Sequence, residues 1–582
     1  MDNMNESAMP KEDYRLAKHS ITPLYTDTFV YISDRDDLEN LVQIFYPPRF
    51  PDPDDEQYVP QEIHSLDDTA SKFGSSTPPP EDHLGYEDSK NMCRILFSTI
   101  WRHAGPFTVV VEDYHVNPSY RDSYYTYFAG QHFDTRRFAA RLSLFIGDVS
   151  GEDAFSPENS INLNNSFIGS FVIYPTEART LGRVLIKPEY LLKSNISCEM
   201  RLTDYSITVF GIRLSLKAFP FQMQDRETTR CAEVTLLNIL DYFGSTYSEY
   251  RTYLPGEIVA LEQQFTSDRT LPSRGINYST MSKLLTKFGF SPRLYSVRAL
   301  QREAGSKAKW SWKQQEIRRL LHYYIESGIP VAVNVAHSIK QREPGHSIVC
   351  IGYANTPPQE ALKFRQINNG PRLFNSADYY NDYIVIDDNQ APYSIRKFEM
   401  LSRHEDYKVD NILVPLYKRM YLEASDAYDV AQYILEHENY GIVARYPDFP
   451  KDEDLVVRLF LASSRTFKVF RIENSNLQDL EHRRMYRMLY GEIPLPRFIW
   501  VAELFTKSNF EAPNGNAFGE IILDATAATK NDVKSVIMLN YPKSVAARWP
   551  ESSISDLNNG FEDFCLAPFP RFTGNLKTVT GA

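Results

Sequence analysis

The sequence predicts an α+β protein built from more than one domain, on three observations. Its 582 residues are several times the usual domain size, so about two to four domains are expected. With 42% hydrophobic and 24% charged residues, and 13% aromatic, the chain has the composition of a globular protein able to bury large cores. Apolar runs of strand character alternate with runs of helical spacing, and no internal repeat is visible.

Taken in order, "TFVYI" reads as a strand, followed up to about Phe45 by a short helix opened by Ser33 and Asp34. A Pro-, Asp- and Ser-rich stretch at about 47–85 reads as a surface insert and linker. Residues 89–104 ("SKNMCRILFSTIWRHA") and 134–145 ("DTRRFAARLSLF") show helical apolar spacing. "FTVVVEDYHV", "SFIGSFVIYP", "GRVLIKP" and "YSITVFGIRLSL" read as strands, giving an amino-terminal α/β domain over 1–218. The aromatic run "YRDSYYTYF" is read as core or surface packing rather than as a ligand platform. At the other end, 418–582 is expected to form an α/β or α+β domain of unknown role. It reads as a helix at "DAYDVAQYILEHE", strands at "LVVRLFLASS", "TFKVFRI", "RFIWVAELF", "GEIILDAT" and "VIMLN", and an extended tail after Phe569.

Bulk properties exclude several function classes. A formal net charge of -12 argues against a general nucleic-acid binder, which needs a surplus of Lys and Arg. Five scattered cysteines (Cys93, Cys198, Cys231, Cys350, Cys565) do not make a disulfide framework and suit a reducing compartment, so a cytoplasmic protein is expected. The first twenty residues lack an apolar core, and no run approaches the roughly 18 apolar residues of a spanning helix, so no membrane association is expected. CxxC, HExxH, helix-opening GxGxxG and GxxxxGK[ST] patterns are missing, and no metal or cofactor is expected. His337 reads as an exposed loop residue.

The chemistry-bearing residues fall in the middle segment, 219–417. In "FQMQDRETTRCAEVTLLNILDYFG", Thr228 and Thr229 are placed to cap a helix and Gly244 to end it, while Val234, Leu236, Leu237, Ile239, Leu240 and Phe243 give it a wide apolar surface. Cys231 then lies in the first turn, where the helix dipole and unpaired N–H groups favour the thiolate. The competing reading is a small buried hydrophobe. A helix at "KQQEIRRLLHYYIE", ending at Gly328, leads to a strand and then to "GHSIVCIGY", where His346 opens a second strand and Cys350 reads as core. A histidine there either takes a proton from a thiol, if the strand end faces the helix start, or is structural. "DYIVIDDNQAPY" is a further strand ending in Asp387-Asp388-Asn389, which reads either as a solvated turn or as the carboxylate that orients the imidazole.

The order of these pieces, "QDRETTRCA", "GHSIVCIGY" and "YIVIDDN", resembles papain-like cysteine peptidases, nearest the bacterial C39-like branch, over residues 219–417 only. The resemblance implies a central helix packed on an antiparallel sheet. It also implies a nucleophile at Cys231, a general base at His346 and an oxyanion-hole amide at Gln224. The orienting acid falls on Asp388, with Asp387 a close competitor and Asn389 a weaker one. Gln224 stands seven residues before Cys231, one more than in much of the family, with Gln222 nearby, and Ala232 follows the cysteine where many relatives have glycine. The implied function is hydrolysis of a peptide or isopeptide bond through a thioester, on a protein or peptide substrate. The alternatives are transglutaminase-like or deamidating acyl transfer with the same residues, and an inactive binding scaffold.

Overall fold

The computed structural model describes residues 29–46, 81–132, 135–149, 152–297, 310–337, 345–358, 361–402, 406–474, 484, 486–527, 535–548, 560–562 and 568–582. The protein is α+β, with three multistranded sheets in which neighbouring strands run antiparallel except at one place. Of the expected insert at 47–85, residues 47–80 lie outside the described residues, and the helix Glu81–Ala104 begins within the remainder. Among the described residues no helix is long and apolar enough to cross a membrane.

The first sheet runs in the order Phe29–Ile32, Phe107–His115, Ala139–Ile146, Phe167–Ile173, Leu185–Ile186. Asp34 caps the helix Arg35–Phe45 by accepting from the N–H groups of Asp36 and Asp37. That helix and Glu81–Ala104 share a core with one face of the sheet through Leu41, Phe97, Val109 and Leu142. The helix expected over 134–145 is instead the strand Ala139–Ile146. Both its faces are covered, Leu142 and Leu144 on one side and Phe145 on the other, so the polar alternation of a half-buried strand is lost and the apolar run mimics helical spacing. "YSITVFGIRLSL" is a hairpin, Thr203–Val209 and Ile212–Ala218, with strictly alternating burial. Its turn has positive φ at both Phe210 (45°) and Gly211 (83°), the twist a two-residue hairpin needs.

The central sheet is ordered Ser394–Lys397, Asp382–Ile386, His346–Ala354, Val331–His337, Tyr407–Val414, Arg293–Ser296. Two helices sandwich it. Leu236, Ile239 and Leu240 of Cys231–Thr246 share a core with Val349, Ile351, Ile384 and Leu413 on one face. Ile317, Leu321 and Tyr324 of Trp310–Glu326 share another with Ile348, Cys350, Val385 and Ile412 on the opposite face. Cys350 is therefore core, as expected. Glycine is required at Gly352, because a Cβ there would lie 2.3 Å from the Glu199 carbonyl oxygen. That close approach lets Ser197–Met200 pair with the end of the His346 strand, and Lys577–Thr580 pairs with it in turn. Strands from the amino-terminal and carboxy-terminal segments thus complete the central sheet, across the boundaries expected at 218 and 417. The tail after Phe569 is extended but paired. His337 ends a strand, half-buried and edge-on to the Tyr407 ring, and does not lie in an exposed loop.

The third sheet, Phe364–Gln366, Arg372–Asn375, Leu455–Ser463, Phe498–Thr506, Gly519–Asp524, Val536–Tyr541, Ser544–Ala547, Gly560–Glu562, draws its first two strands from the middle segment. Arg372–Asn375 enters it parallel to Leu455–Ser463. "TFKVFRI", expected as a strand, is the helix Ser464–Glu473, capped by Ser463 Oγ accepting from Thr466 N–H at 3.1 Å. Phe467 and Arg471, four residues apart, make its single buried face; Val469 and Phe470 between them give the segment the composition of a strand. Buried ion pairs lock this sheet to the helix Trp310–Glu326: Arg458 bridges Glu326 and Glu503, and Arg471 bridges Glu503 and Glu520.

Candidate active site

Cys231 is the first residue of its helix, but the expected caps do not cap it. Thr228 and Thr229 are bound up in a turn built on the buried Asp225, whose Oδ1 accepts from the N–H groups of Glu227 (3.0 Å), Thr228 (2.7 Å) and Thr229 (2.8 Å). Arg226 takes φ 67° within this turn. Arg230 is the N-cap, extended and without a side-chain cap. The first intrahelical bond runs from Val234 N–H to the Arg230 carbonyl at 3.0 Å, so the N–H groups of Cys231, Ala232 and Glu233 have no acceptor in the helix. Thr228 Oγ1 also meets Ser123 Oγ of the helix Pro118–Thr126 at 3.1 Å, which ties the loop to the amino-terminal segment. Gly244 does not end the helix, which continues to Thr246; a Cβ at Gly244 would strike the Arg251–Thr252 backbone at 2.4 Å.

The central register brings His346 to the same end of the sheet as 387–389: Val349 pairs with Ile386, and Val335 with His346. His346 Nε2 lies 2.8 Å from Asp387 Oδ1, 3.4 Å from Asn389 Nδ2 and 3.6 Å from Asp388 Oδ1. The Cys231 side chain lies close enough to the ring to strengthen the imidazole's hold on a proton. Burial disfavours a charged His346, but the charge and hydrogen bond of Asp387 outweigh it, with smaller contributions from Cys231 and Asp388. The ring keeps its proton well above its ordinary 6.5. Conversely, burial pushes Asp387 up, yet the His346 charge, the Asn389 N–H (3.0 Å) and the Gln390 amide (2.7 Å) hold it below its ordinary 3.8.

The sequence reading put Asp388 ahead of Asp387; the geometry reverses that order. Asp388 is buried, neither of its oxygens has a hydrogen-bond partner, and burial, helped by the neighbouring Asp387 charge, raises it to about 7. The two adjacent carboxyls are thus split by environment, one ionised against the imidazole and one neutral below about pH 7. His346, Asp387 and Asp388 are also the one group of donor atoms among the described residues near enough to share a cation, all within 4.8 Å of one another. Asp387, however, already spends its oxygens on three donors.

Gln224 is half-buried just before the Asp225 turn, and its side chain makes no hydrogen bond to a described residue, which leaves its amide available. Three contributors escaped the sequence reading: Asp225, which shapes the approach to the cysteine; Gln390, which fixes Asp387; and Arg396, which donates to the Gln390 side-chain carbonyl. The signal for Asp225 was its position three and four residues before two threonines, an Asx-turn pattern. The four described cysteines, Cys93, Cys198, Cys231 and Cys350, are free. Burial pushes the thiols of Cys93, Cys198 and Cys350 up, the second to about 12, whereas Cys231 alone among the four is not fully buried.

A half-buried cysteine at a helix start, an imidazole beside it and an ionised carboxylate on the imidazole define a cysteine–histidine–aspartate constellation. No protein-family model matches this chain, and no curated protein matches it significantly.

Proposed function

We propose that the protein is a papain-like cysteine hydrolase that cleaves a peptide or isopeptide bond of a protein or peptide substrate. One observation carries the reading: the His346 ring is held on Nε2 by an ionised, hydrogen-bonded Asp387, and the Cys231 side chain lies close to the same ring. In this reading His346 takes the Cys231 proton and the thiolate attacks the substrate carbonyl. The unpaired Cys231 N–H and the Gln224 amide stabilise the oxyanion. Imidazolium His346 then protonates the leaving amine and, as a base, activates the water that hydrolyses the thioester. Asp387 orients the ring throughout and stays ionised. The helix packed on an antiparallel sheet, with Cys231 and His346 at one end of it, supports the papain-like assignment. The free thiols favour a reducing, cytoplasmic setting.

The test is labelling of the purified protein with a thiol-directed electrophile near pH 6, read by intact mass, followed by cleavage of a peptide library. Cys231→Ala is expected to abolish both; undiminished labelling of that variant at the same rate would sink the proposal. Product masses with and without an added amine separate hydrolysis from acyl transfer.

A further inference from the structure

A second site lies at the opposite end of the Cys231 helix, between the central and carboxy-terminal sheets. It is a cavity of about 450 Å³, within the range of small-molecule sites. Three arginines line it, Arg201, Arg465 and Arg497, and no aspartate or glutamate does. In a chain of net charge -12 such a concentration of positive charge calls for an explanation.

Two of the three arginines have no acidic partner among the described residues. Arg201 donates to the Tyr242 hydroxyl, to the Asn575 carbonyl oxygen at 2.6 Å and to the Tyr247 hydroxyl at 3.1 Å, all neutral groups, and no carboxylate among the described residues pairs with it. A guanidinium placed this deep normally has a counter-ion, because its desolvation is costly. Arg465 is exposed and makes no ion pair or hydrogen bond to a described residue. Only Arg497 has an acid, Glu249 at 2.6 Å, on the exposed side. Two positive charges are therefore unmatched across one cavity. The hydroxyls at its rim do not supply the attraction: Ser463 Oγ and Thr466 Oγ1 meet each other at 2.7 Å, and Ser463 Oγ already accepts from Thr466 N–H.

We infer that this cavity binds the phosphate group of a small molecule, whose oxygens complete the hydrogen bonding of the arginines. Guanidinium forks match phosphate geometry and form strong charge-assisted hydrogen bonds with it. The site is independent of the proposed hydrolase reading. By bridging Arg201 on the central side and Arg465 and Arg497 on the carboxy-terminal side, the ligand stabilises the contact between the two sheets.

The experiment is calorimetric titration of the full-length protein with inorganic phosphate and, separately, with AMP, at constant ionic strength set with chloride, together with thermal unfolding in the same solutions. Saturable binding of at least one probe and a raised unfolding temperature are expected. Arg465→Ala, an exposed change that leaves the fold intact, should weaken binding at least tenfold, and Arg497→Ala likewise. Tighter binding of AMP identifies the ligand as a phosphomonoester, and tighter binding of free phosphate identifies it as the inorganic ion. Saturable binding of neither probe, or binding of equal strength in wild type and Arg465→Ala, overturns the inference.

Discussion

Replacing Asp387 by asparagine tests the electrostatic core of the site. The carboxylate is 2% exposed and holds His346 Nε2 at 2.8 Å, against a burial effect that by itself would drive the imidazole to lose its proton. Removing one partner of a buried ion pair costs about 3–5 kcal/mol. At about 1.4 kcal/mol per pH unit, a loss of that size lowers the imidazole's hold on its proton by roughly two to four pH units, which removes the upward push that Asp387 supplies. The asparagine keeps the shape and can still accept from the Asn389 N–H, so the fold should persist. Below the imidazole's pKa the charged ring favours the thiolate. Cys231 should therefore alkylate faster in the wild type than in Asp387→Asn at mildly acidic pH, where only the wild-type imidazole is charged, and the gap should narrow as pH rises. The assay is the second-order rate of iodoacetamide alkylation at Cys231 from pH 5 to 9, with circular dichroism as the fold control. Superimposable rate profiles for wild type and Asp387→Asn would refute the reasoning.

Asp388→Asn should leave that profile nearly unchanged below about pH 7, where Asp388 is already neutral, and should alter stability instead. An acid whose pKa is raised on folding stabilises the native state at low pH and loses that advantage as pH rises from its unfolded to its folded value. Between 3.8 and about 7, at about 1.4 kcal/mol per pH unit, the wild type should lose up to about 4 kcal/mol relative to the variant, measured by urea unfolding at pH 4 and pH 8. Equal differences at the two pH values count against a buried neutral Asp388. Gln224→Ala should lower kcat on a cleaved peptide by about 10²–10³-fold while leaving the alkylation rate of Cys231 intact; a matching fall in alkylation would assign Gln224 to positioning the thiol. Gly352→Ala places a methyl group 2.3 Å from the Glu199 carbonyl oxygen and should destabilise the protein by about 1–3 kcal/mol or more, read as a lowered Tm.

Much of the site was legible because its parts are encoded locally. An apolar run of helical spacing led by Cys231, a β-branched run led by His346 and another ended by Asp387-Asp388 each announce an element and the residue at its mouth. The misreadings came where local pattern and environment disagree. Ala139–Ile146 is covered on both faces and so lacks alternation, and Ser464–Glu473 is rich in strand-forming residues but buries a helical face. Thr228 and Thr229 have capping chemistry, but Asp225, a stronger acceptor three and four residues earlier, claims their N–H groups first.

What the sequence alone determined is the set of candidate site side chains, their order and the type of element that carries each, since period, caps and turns depend on neighbours in the chain. Only the tertiary structure decided which carboxylate meets the imidazole, because Asp387 and Asp388 are chemically identical and differ only in where the strand end aims them and in what solvates them: three donors for one, none for the other. It also decided that Ser197–Met200 and Lys577–Thr580 complete the sheet that mounts His346. Strand pairing joins backbones hundreds of residues apart, and no local pattern in those short segments specifies the partner.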